Sequence, residues 1–362
     1  MRWRCTITKN TNKYLFFLQV HLITFVLQSC MKKALLILFT ILFFYACKEQ
    51  HDTSFYFWKT TYSVSPFERH YLDSLNVQKL YVRFFDIDIQ NNKAIPVGEI
   101  NIEEKNTEQE IIPVVFITNE VFKTLDKQKI ETLAENIKKE IEFLYPKISA
   151  KAIKEIQFDC DWTSSTRNKY FYFLSRIKLK HPGVSISATI RLHQIKDKKQ
   201  TGIPPVKKGV LMYYATSNPL DFQDKNSILE NELANNYIKE LKKYPITLDV
   251  ALPIYSWGII ENQLGEKRLL NGIRNKDLQD TSRYKKIKPN FYLVKKDHYL
   301  NGSYVYEDFV IKAEEITKQD LVVAQKNIRE KIKNKELTTI FFQLDSSNLI
   351  HYSIDDLKTI SR

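Results

Sequence analysis

The chain has 362 residues, with 55 basic and 42 acidic side chains, a formal net charge of +13 and 13% aromatic residues. Only eight glycines occur in the whole sequence, and no glycine-rich turn follows any apolar run, which excludes a dinucleotide or P-loop phosphate site. Seven histidines, two of them (His21 and His51) in or beside the N-terminal apolar region, show no metal-ligand spacing, so neither a metal nor a cofactor is expected.

Two apolar stretches come first. The second opens with Met31-Lys32-Lys33, runs through an apolar Ala34–Tyr45 core and ends at Ala46-Cys47. A charged start, an apolar run of secretory length and a small residue before the cleavage point are the parts of a signal peptide. With a cysteine next, the segment resembles a bacterial lipoprotein signal, whose cysteine thiol is lipidated; that assigns Cys47 as the anchor. The preceding stretch, Met1–Cys30, ends in a similar Leu27-Gln28-Ser29-Cys30. Two signals in tandem make little physical sense, so translation is expected to start at Met31. A pair of transmembrane helices is the rival reading, but each run is short for a bilayer. Lys48-Glu49-Gln50-His51-Asp52 resembles the surface-export signal of Bacteroidetes lipoproteins. The expected setting is therefore the outer membrane, facing the periplasm or the cell surface, with the membrane reached through a lipid anchor.

Residues 1–46 carry six basic side chains and no acid, which leaves 49 basic against 42 acidic residues and a net charge of +7. The high overall charge is then no argument for nucleic acid. The remaining lysines, such as Lys138, Lys139, Lys178, Lys180, Lys242 and Lys243, read as solvated helix faces. Once Cys47 is lipidated only Cys160 remains, and it reads as a small buried core residue rather than a catalytic thiol.

After a tether over residues 47–54, eight apolar runs of strand length follow: Phe55–Trp58, Leu80–Phe85, Ile111–Ile117, Ile156–Cys160, Val184–Ile190, Val210–Tyr214, Thr247–Ile254 and Thr339–Leu344. Each is nearly continuous in apolar residues, as strands buried on both faces should be. Helical periodicity lies between them over Asp126–Tyr145, Ser165–Lys180 and Asn226–Lys243. Eight strands alternating with helices predict an α/β fold, a (β/α)8 TIM barrel, with strands one to seven in residues 55–257 and the last in 337–362. Residues 258–336 break the alternation. Strand-like Arg268–Leu270, Asn290–Lys295 and Tyr304–Ala313, an Asn301-Gly302 hairpin signal and a basic helix Lys318–Lys335 predict a small α+β insertion between strands seven and eight.

The fourth run carries the chemistry. In Ile156-Gln157-Phe158-Asp159-Cys160-Asp161-Trp162-Thr163 the period of two places Asp159, Asp161 and Thr163 on one face and Ile156, Phe158, Cys160 and Trp162 on the other. Paired carboxylates at a strand end are costly to bury and point to a cleft. The plainer reading is a pair of capping or turn acids, since Thr163-Ser164-Ser165 follows.

These residues resemble the chitinase-like enzymes of glycoside hydrolase family 18. Their fourth strand ends in Asp-x-Asp-x-Glu, to which Asp159-Cys160-Asp161-Trp162-Thr163 is similar up to the last position. Met212-Tyr213-Tyr214 is similar to their Met-x-Tyr on strand six, and Ala251-Leu252-Pro253-Ile254-Tyr255 to their Gly-x-Pro-x-Tyr on strand seven. The resemblance implies that Asp161 orients a substrate N-acetyl group, that Asp159 supports it and that Tyr214 bonds the acetamido group. It also implies that Thr163 stands where the acid should be, and a hydroxyl cannot protonate a leaving group near neutral pH. Phe342 takes the place of the tryptophan that floors the family's sugar site. Glu261 is the nearest candidate for a replacement acid.

What survives is a sugar-shaped site of Trp58, Asp159, Asp161, Thr163, Met212, Tyr214, Tyr255, Trp257 and Phe342, because flat aromatic faces stack on pyranose rings and acids accept hydroxyl hydrogen bonds. The alternative is that an aromatic-rich chain simply fills its core this way. Arg83, Asp86 and Asp88 after strand two, and Arg191 and His193 after strand five, are further polar candidates. The expected function is a lipoprotein that binds an N-acetylhexosamine-containing glycan without cleaving it. Two alternatives stand beside it: an active hydrolase with Asp159 or Asp161 as the catalytic carboxylate, and a structural or assembly lipoprotein that docks a partner through the insertion. Thr163→Glu is expected to restore weak hydrolysis.

Overall fold

The computed structural model describes residues 52–105, 107–334 and 336–362. The signal peptide, the lipidated Cys47 and the export-signal resemblance up to His51 lie outside the described residues. No described helix is long and apolar enough to cross a membrane.

The eight expected runs form β1 (Thr53–Phe57), β2 (Lys79–Gln90), β3 (Glu110–Ile117), β4 (Glu155–Asp159), β5 (Ser185–Arg191), β6 (Lys208–Met212), β7 (Thr247–Pro253) and β8 (Thr339–Phe342). Each pairs in parallel with the next, and β1 pairs with both β8 and β2, which closes a (β/α)8 barrel. The continuous apolar runs are explained by two separate cores. Phe55 and Phe57 of β1 face the layer between barrel and helices, while Tyr56 between them faces the lumen. Tyr81, Val114, Met212, Ala251 and Ile340 join Tyr56 inside, as alternation along each strand demands.

Polar residues close the lower end of the lumen. Lys208 lies 2.8 Å from Asp249 and 3.4 Å from Glu155, and Ser187 donates to Glu155 at 2.6 Å. Above them, the β4–β5 register sets Gln157 beside Ser187 and Phe158 beside Ala188. Continued upward, that register brings Asp159 beside Thr189 at the open end.

The helix over Lys127–Ile148 starts where Asp126 accepts from the Lys129 amide, and it buries Ile130, Leu133, Ile137, Ile141 and Leu144. Arg167–Lys180 buries Tyr170, Phe173, Leu174 and Ile177. The third expected helix is much shorter. Residues 226–230 are non-helical, with the Ala215 and Thr216 amides donating to the Ile228 and Ser227 carbonyls, so the α-helix covers only Asn231–Tyr237, followed by a 3-10 turn at Leu241–Lys243.

The insertion is built on a five-stranded sheet whose central strand is Val310–Glu314, flanked by Trp257–Glu261 and Phe291–Val294. Trp257 therefore opens the insertion instead of ending the barrel. The expected Tyr304–Ala313 strand is two strands, Ser303–Val305 and Val310–Glu314. The basic helix, Lys318–Lys331, buries Leu321, Ala324 and Ile328 in the barrel's outer core, so it belongs to the helical layer in its packing.

Candidate functional site at the barrel mouth

Asp159 ends β4 with its carboxylate buried at the top of the lumen, 4% exposed, and Thr189 on β5 donates to it at 2.5 Å. Arg191, two residues farther along β5, sends Nη2 to Asp159 Oδ1 at 3.2 Å and donates from Nε to Asp161. The two acids therefore share one guanidinium, and neither caps a helix. Burial raises the Asp159 carboxyl above its ordinary range even though Arg191 pulls it down. Burial also works against the Arg191 charge, but the two carboxylates outweigh it and push its pKa up. Sequence reasoning left Arg191 ambiguous. The signal that marks it is the polar alternation Ser187, Thr189, Arg191 along the lumen face of β5.

The apolar face of the same segment behaves as expected. Ile156, Phe158, Cys160 and Trp162 are fully buried in the outer core. Cys160 has no exposed surface for a substrate to reach, and burial drives its thiol well above its ordinary range, as suits a structural cysteine. Trp162 stacks on Tyr170 at 5.2 Å and donates to the Thr201 carbonyl at 2.9 Å, so it is structural and not a wall of the cleft.

Thr163 is exposed, and its hydroxyl bonds Ser165 Oγ at 2.9 Å. Its backbone amide donates to Thr166 Oγ1, which in turn donates to Asn119 at 2.6 Å. Thr163 thus belongs to the turn that starts the Arg167–Lys180 helix, and no bond joins it to Asp159 or Asp161. Glu261 is not a replacement acid. It ends an insertion strand and pairs with Lys267 at 3.0 Å.

The aromatic candidates do converge. Phe342 pairs in register with Tyr56 on one side and Pro253 on the other. Its ring lies 5.8 Å from Trp58, 5.7 Å from Tyr214 and 5.8 Å from Tyr255, and Tyr255 lies 5.3 Å from Trp257. Trp58, Tyr255, Trp257 and Phe342 remain partly exposed. Met212 does not line the mouth as expected. It is 1% exposed beneath Tyr214, whose hydroxyl donates to its sulfur at 3.5 Å. Burial raises the Tyr214 hydroxyl although Arg191 opposes the shift, so it stays protonated and able to donate.

Of the other polar candidates, Asp86 is held by Arg83 through two bonds of 2.7 and 2.6 Å, and the guanidinium sits 6.0 Å from the Trp58 ring. Asp88 accepts from Thr118 at 2.8 Å and supports the loop after β3. His193 is exposed on the short helix Leu192–Lys196.

One group was missed altogether. Trp257 Nε1 donates to Glu314 Oε2 at 2.8 Å, and the same buried carboxylate accepts from Ser227 and pairs with the buried Lys312. This network fixes the Trp257 ring against the barrel mouth. Glu314 sits in the charged run Lys312-Ala313-Glu314-Glu315, which reads as solvated, and only its cross-strand pairing with Trp257 reveals the role. Among the described residues no group of three or more His, Cys, Asp or Glu side chains is arranged to hold a metal ion.

No protein-family model and no curated protein matches the sequence. Solved structures do match. The spore cortex-lytic enzyme SleL of Bacillus cereus is 12% identical over 85% of this chain and 73% of its own, with a TM-score of 0.50. The C-terminal domain of a candidate chitinase from Desulfitobacterium hafniense is 11% identical over 86% of this chain and 99% of its own, at 0.52. A chitinase from Bacteroides thetaiotaomicron is 12% identical over 86% and 96%, at 0.50. This chain has the fold of the chitinase-like barrels. At such low identity the likeness is one of fold, and function has to be argued from the site.

Proposed function

We propose that the protein is a glycan-binding barrel that has kept a sugar-shaped mouth and lost hydrolysis. The observation that carries this reading is the state of the mouth's acids. Asp86 is bound by Arg83, and Asp159 and Asp161 are both bound by Arg191. A general acid must carry a proton it can give up and must reach the leaving-group oxygen. Asp86 and Asp161 are each engaged by an arginine, and Asp159 is buried beneath them. Thr163 offers only a hydroxyl. Substrate-assisted cleavage would also need Asp161 to turn an acetamido group toward attack, and Arg191 fixes the Asp161 side chain through Oδ1 instead.

The same mouth suits binding. Phe342, Trp58, Tyr255 and Trp257 offer ring faces for the CH faces of pyranoses, while Asp161 and the Tyr214 hydroxyl supply hydrogen bonds for orientation. The ligand that fits the resemblance is a glycan containing N-acetylhexosamine. Titration calorimetry with N-acetylglucosamine oligosaccharides should give saturable heat that Trp257→Ala sharply reduces, with no reducing ends released. Hydrolysis by the wild type that Asp161→Asn abolishes would establish the enzyme instead. The raised Asp159 pKa favours that second reading, because a protonated carboxyl is the starting state of an acid catalyst; its burial and its bonds to Thr189 and Arg191 weigh against it.

We place the barrel, by its N-terminal sequence, on the outer membrane through lipidated Cys47, facing the periplasm or the cell surface. Metabolic labelling with a fatty-acid analogue tests the anchor, since Cys47→Ala should abolish incorporation.

A further inference from the structure

We propose that the outer end of the insertion carries a second carbohydrate site, a groove bordered by a strip of solvent-facing tyrosines. It rests on the reading of the protein as glycan-binding but on different residues. The hairpin His298–Leu300/Ser303–Val305 turns through Asn301 and Gly302, both at positive φ, as a tight two-residue turn requires. Leu300 and Val305 point into the insertion's core, so alternation turns the cross-strand partners Tyr299 and Tyr304 outward. Tyr306 and Phe309 continue the strip. Successive ring centroids lie 5.0, 4.9 and 5.3 Å apart from Tyr299 through Tyr304 and Tyr306 to Phe309, in edge-to-face and tilted contacts that form one continuous aromatic cluster.

Tyr299 is 70% and Tyr306 52% exposed, and Leu264 beside them is 84% exposed. A single exposed aromatic residue needs no explanation, but a contiguous patch does. Tyr306, Phe309 and Leu264 line a concavity of about 450 Å³, within the range of small-ligand sites, to which Asn262, Asp297 and Glu307 also contribute, and Tyr304 and Tyr299 extend the cluster outward from it. Flat rings with amide and carboxylate groups beside them match a ligand with apolar faces and many hydroxyls. The groove is separate from the mouth. Trp257 and Glu261 are opposite ends of one strand, Asn262 follows Glu261, and Phe309 precedes its partner Val310. Four residues of strand put about 13 Å between the two places.

The test uses the full chain, insoluble chitin and the soluble N-acetylglucosamine hexasaccharide, with Trp257→Ala for the mouth and Tyr299→Ala/Tyr306→Ala for the strip. The tyrosine variant should weaken retention on chitin about five- to tenfold with an unchanged melting temperature. Trp257→Ala should leave a residual affinity for the hexasaccharide that the tyrosine substitutions then remove. Binding sensitive to Trp257→Ala alone overturns the second site and leaves the mouth standing; binding sensitive to the tyrosines alone does the reverse. Tyrosine-dependent pelleting with phosphatidylglycerol vesicles and none with chitin overturns the proposal in favour of a membrane contact. No retention of the wild type by either probe overturns both sites.

Discussion

Arg191 reaches Asp159 across the β4–β5 pair at 3.2 Å while its Nε holds Asp161, so one cation from β5 is shared by both acids at the β4 terminus. Removing it strands a buried carboxylate. Arg191→Met is expected to cost about 3–5 kcal/mol at neutral pH. The pH dependence has a definite sign. Asp159 already sits above its ordinary pKa through burial, and without the guanidinium it rises further. A raised carboxyl stabilises the fold below its unfolded pKa and loses that contribution as pH climbs through the folded value. The variant should therefore approach wild-type stability at acid pH and fall away toward neutrality. Denaturant unfolding at pH 4 and pH 7 measures this, and equal losses at both would refute it.

Thr163→Glu alone should not restore hydrolysis, which corrects the expectation drawn from sequence. A glutamate there would supply a carboxyl, but Asp161 would remain held by Arg191. The double variant Thr163→Glu/Arg191→Met frees the orienting acid and supplies the proton donor together. General-acid assistance is worth about 10²–10⁴-fold, so slow release from an activated N-acetylglucosaminide should become measurable, at temperatures well below the variant's unfolding midpoint. Turnover by the single variant would show that the Arg191 bond is easily displaced.

Gly98 should not tolerate a side chain. Its φ is +59°, and an added Cβ would stand 2.5 Å from Arg83 Nη2, the nitrogen that bonds Asp86. Gly98→Ala combines left-handed strain with loss of that ion pair, an expected cost of about 1–3 kcal/mol. Since Arg83 also lies over Trp58, affinity for a mouth ligand should fall with stability. An unchanged melting temperature would mean the Gly98 loop simply moves aside.

Glu314→Ala should act at a distance on the mouth. It leaves the buried Lys312 amine without its acid partner, bonded only to the Lys225 carbonyl, and removes the acceptor of the Trp257 indole. The stability loss should be about 3–5 kcal/mol. Glu314→Gln, which keeps an acceptor, should preserve ligand binding better than Glu314→Ala at matched fraction folded. Equal binding by the two would separate Trp257 orientation from this carboxylate.

The barrel was legible because its strands are buried on both faces and punctuated by strongly periodic helices; β4 was read to within one residue at each end. The aromatic mouth was legible for the same reason, since Trp58, Tyr255 and Phe342 fall at strand ends. Arg191 and Glu314 were not, because their roles depend on which strands become neighbours. Asp159 and Arg191 are 32 positions apart and Trp257 and Glu314 are 57. The helix expected at Asn226–Lys243 failed through competition. Its first residues pair with Ala215 and Thr216 instead, and periodicity cannot register a rival partner.

The closing of the barrel by β1 also fixes an order of assembly. Phe55 pairs with both Leu80 and Phe341, and Thr53 donates to Ser361, 308 positions away, at 3.0 Å. Until Thr339–Phe342 has been synthesised, β1 and β7 each present a bare parallel edge, which is a template for pairing with another chain. Contacts of such long range form slowly and late. A ribosome-stalled or prematurely terminated chain would hold seven strands and two sticky margins, so aggregation of unfinished chains, more than unfolding of finished ones, is the hazard this topology creates for the cell that makes it.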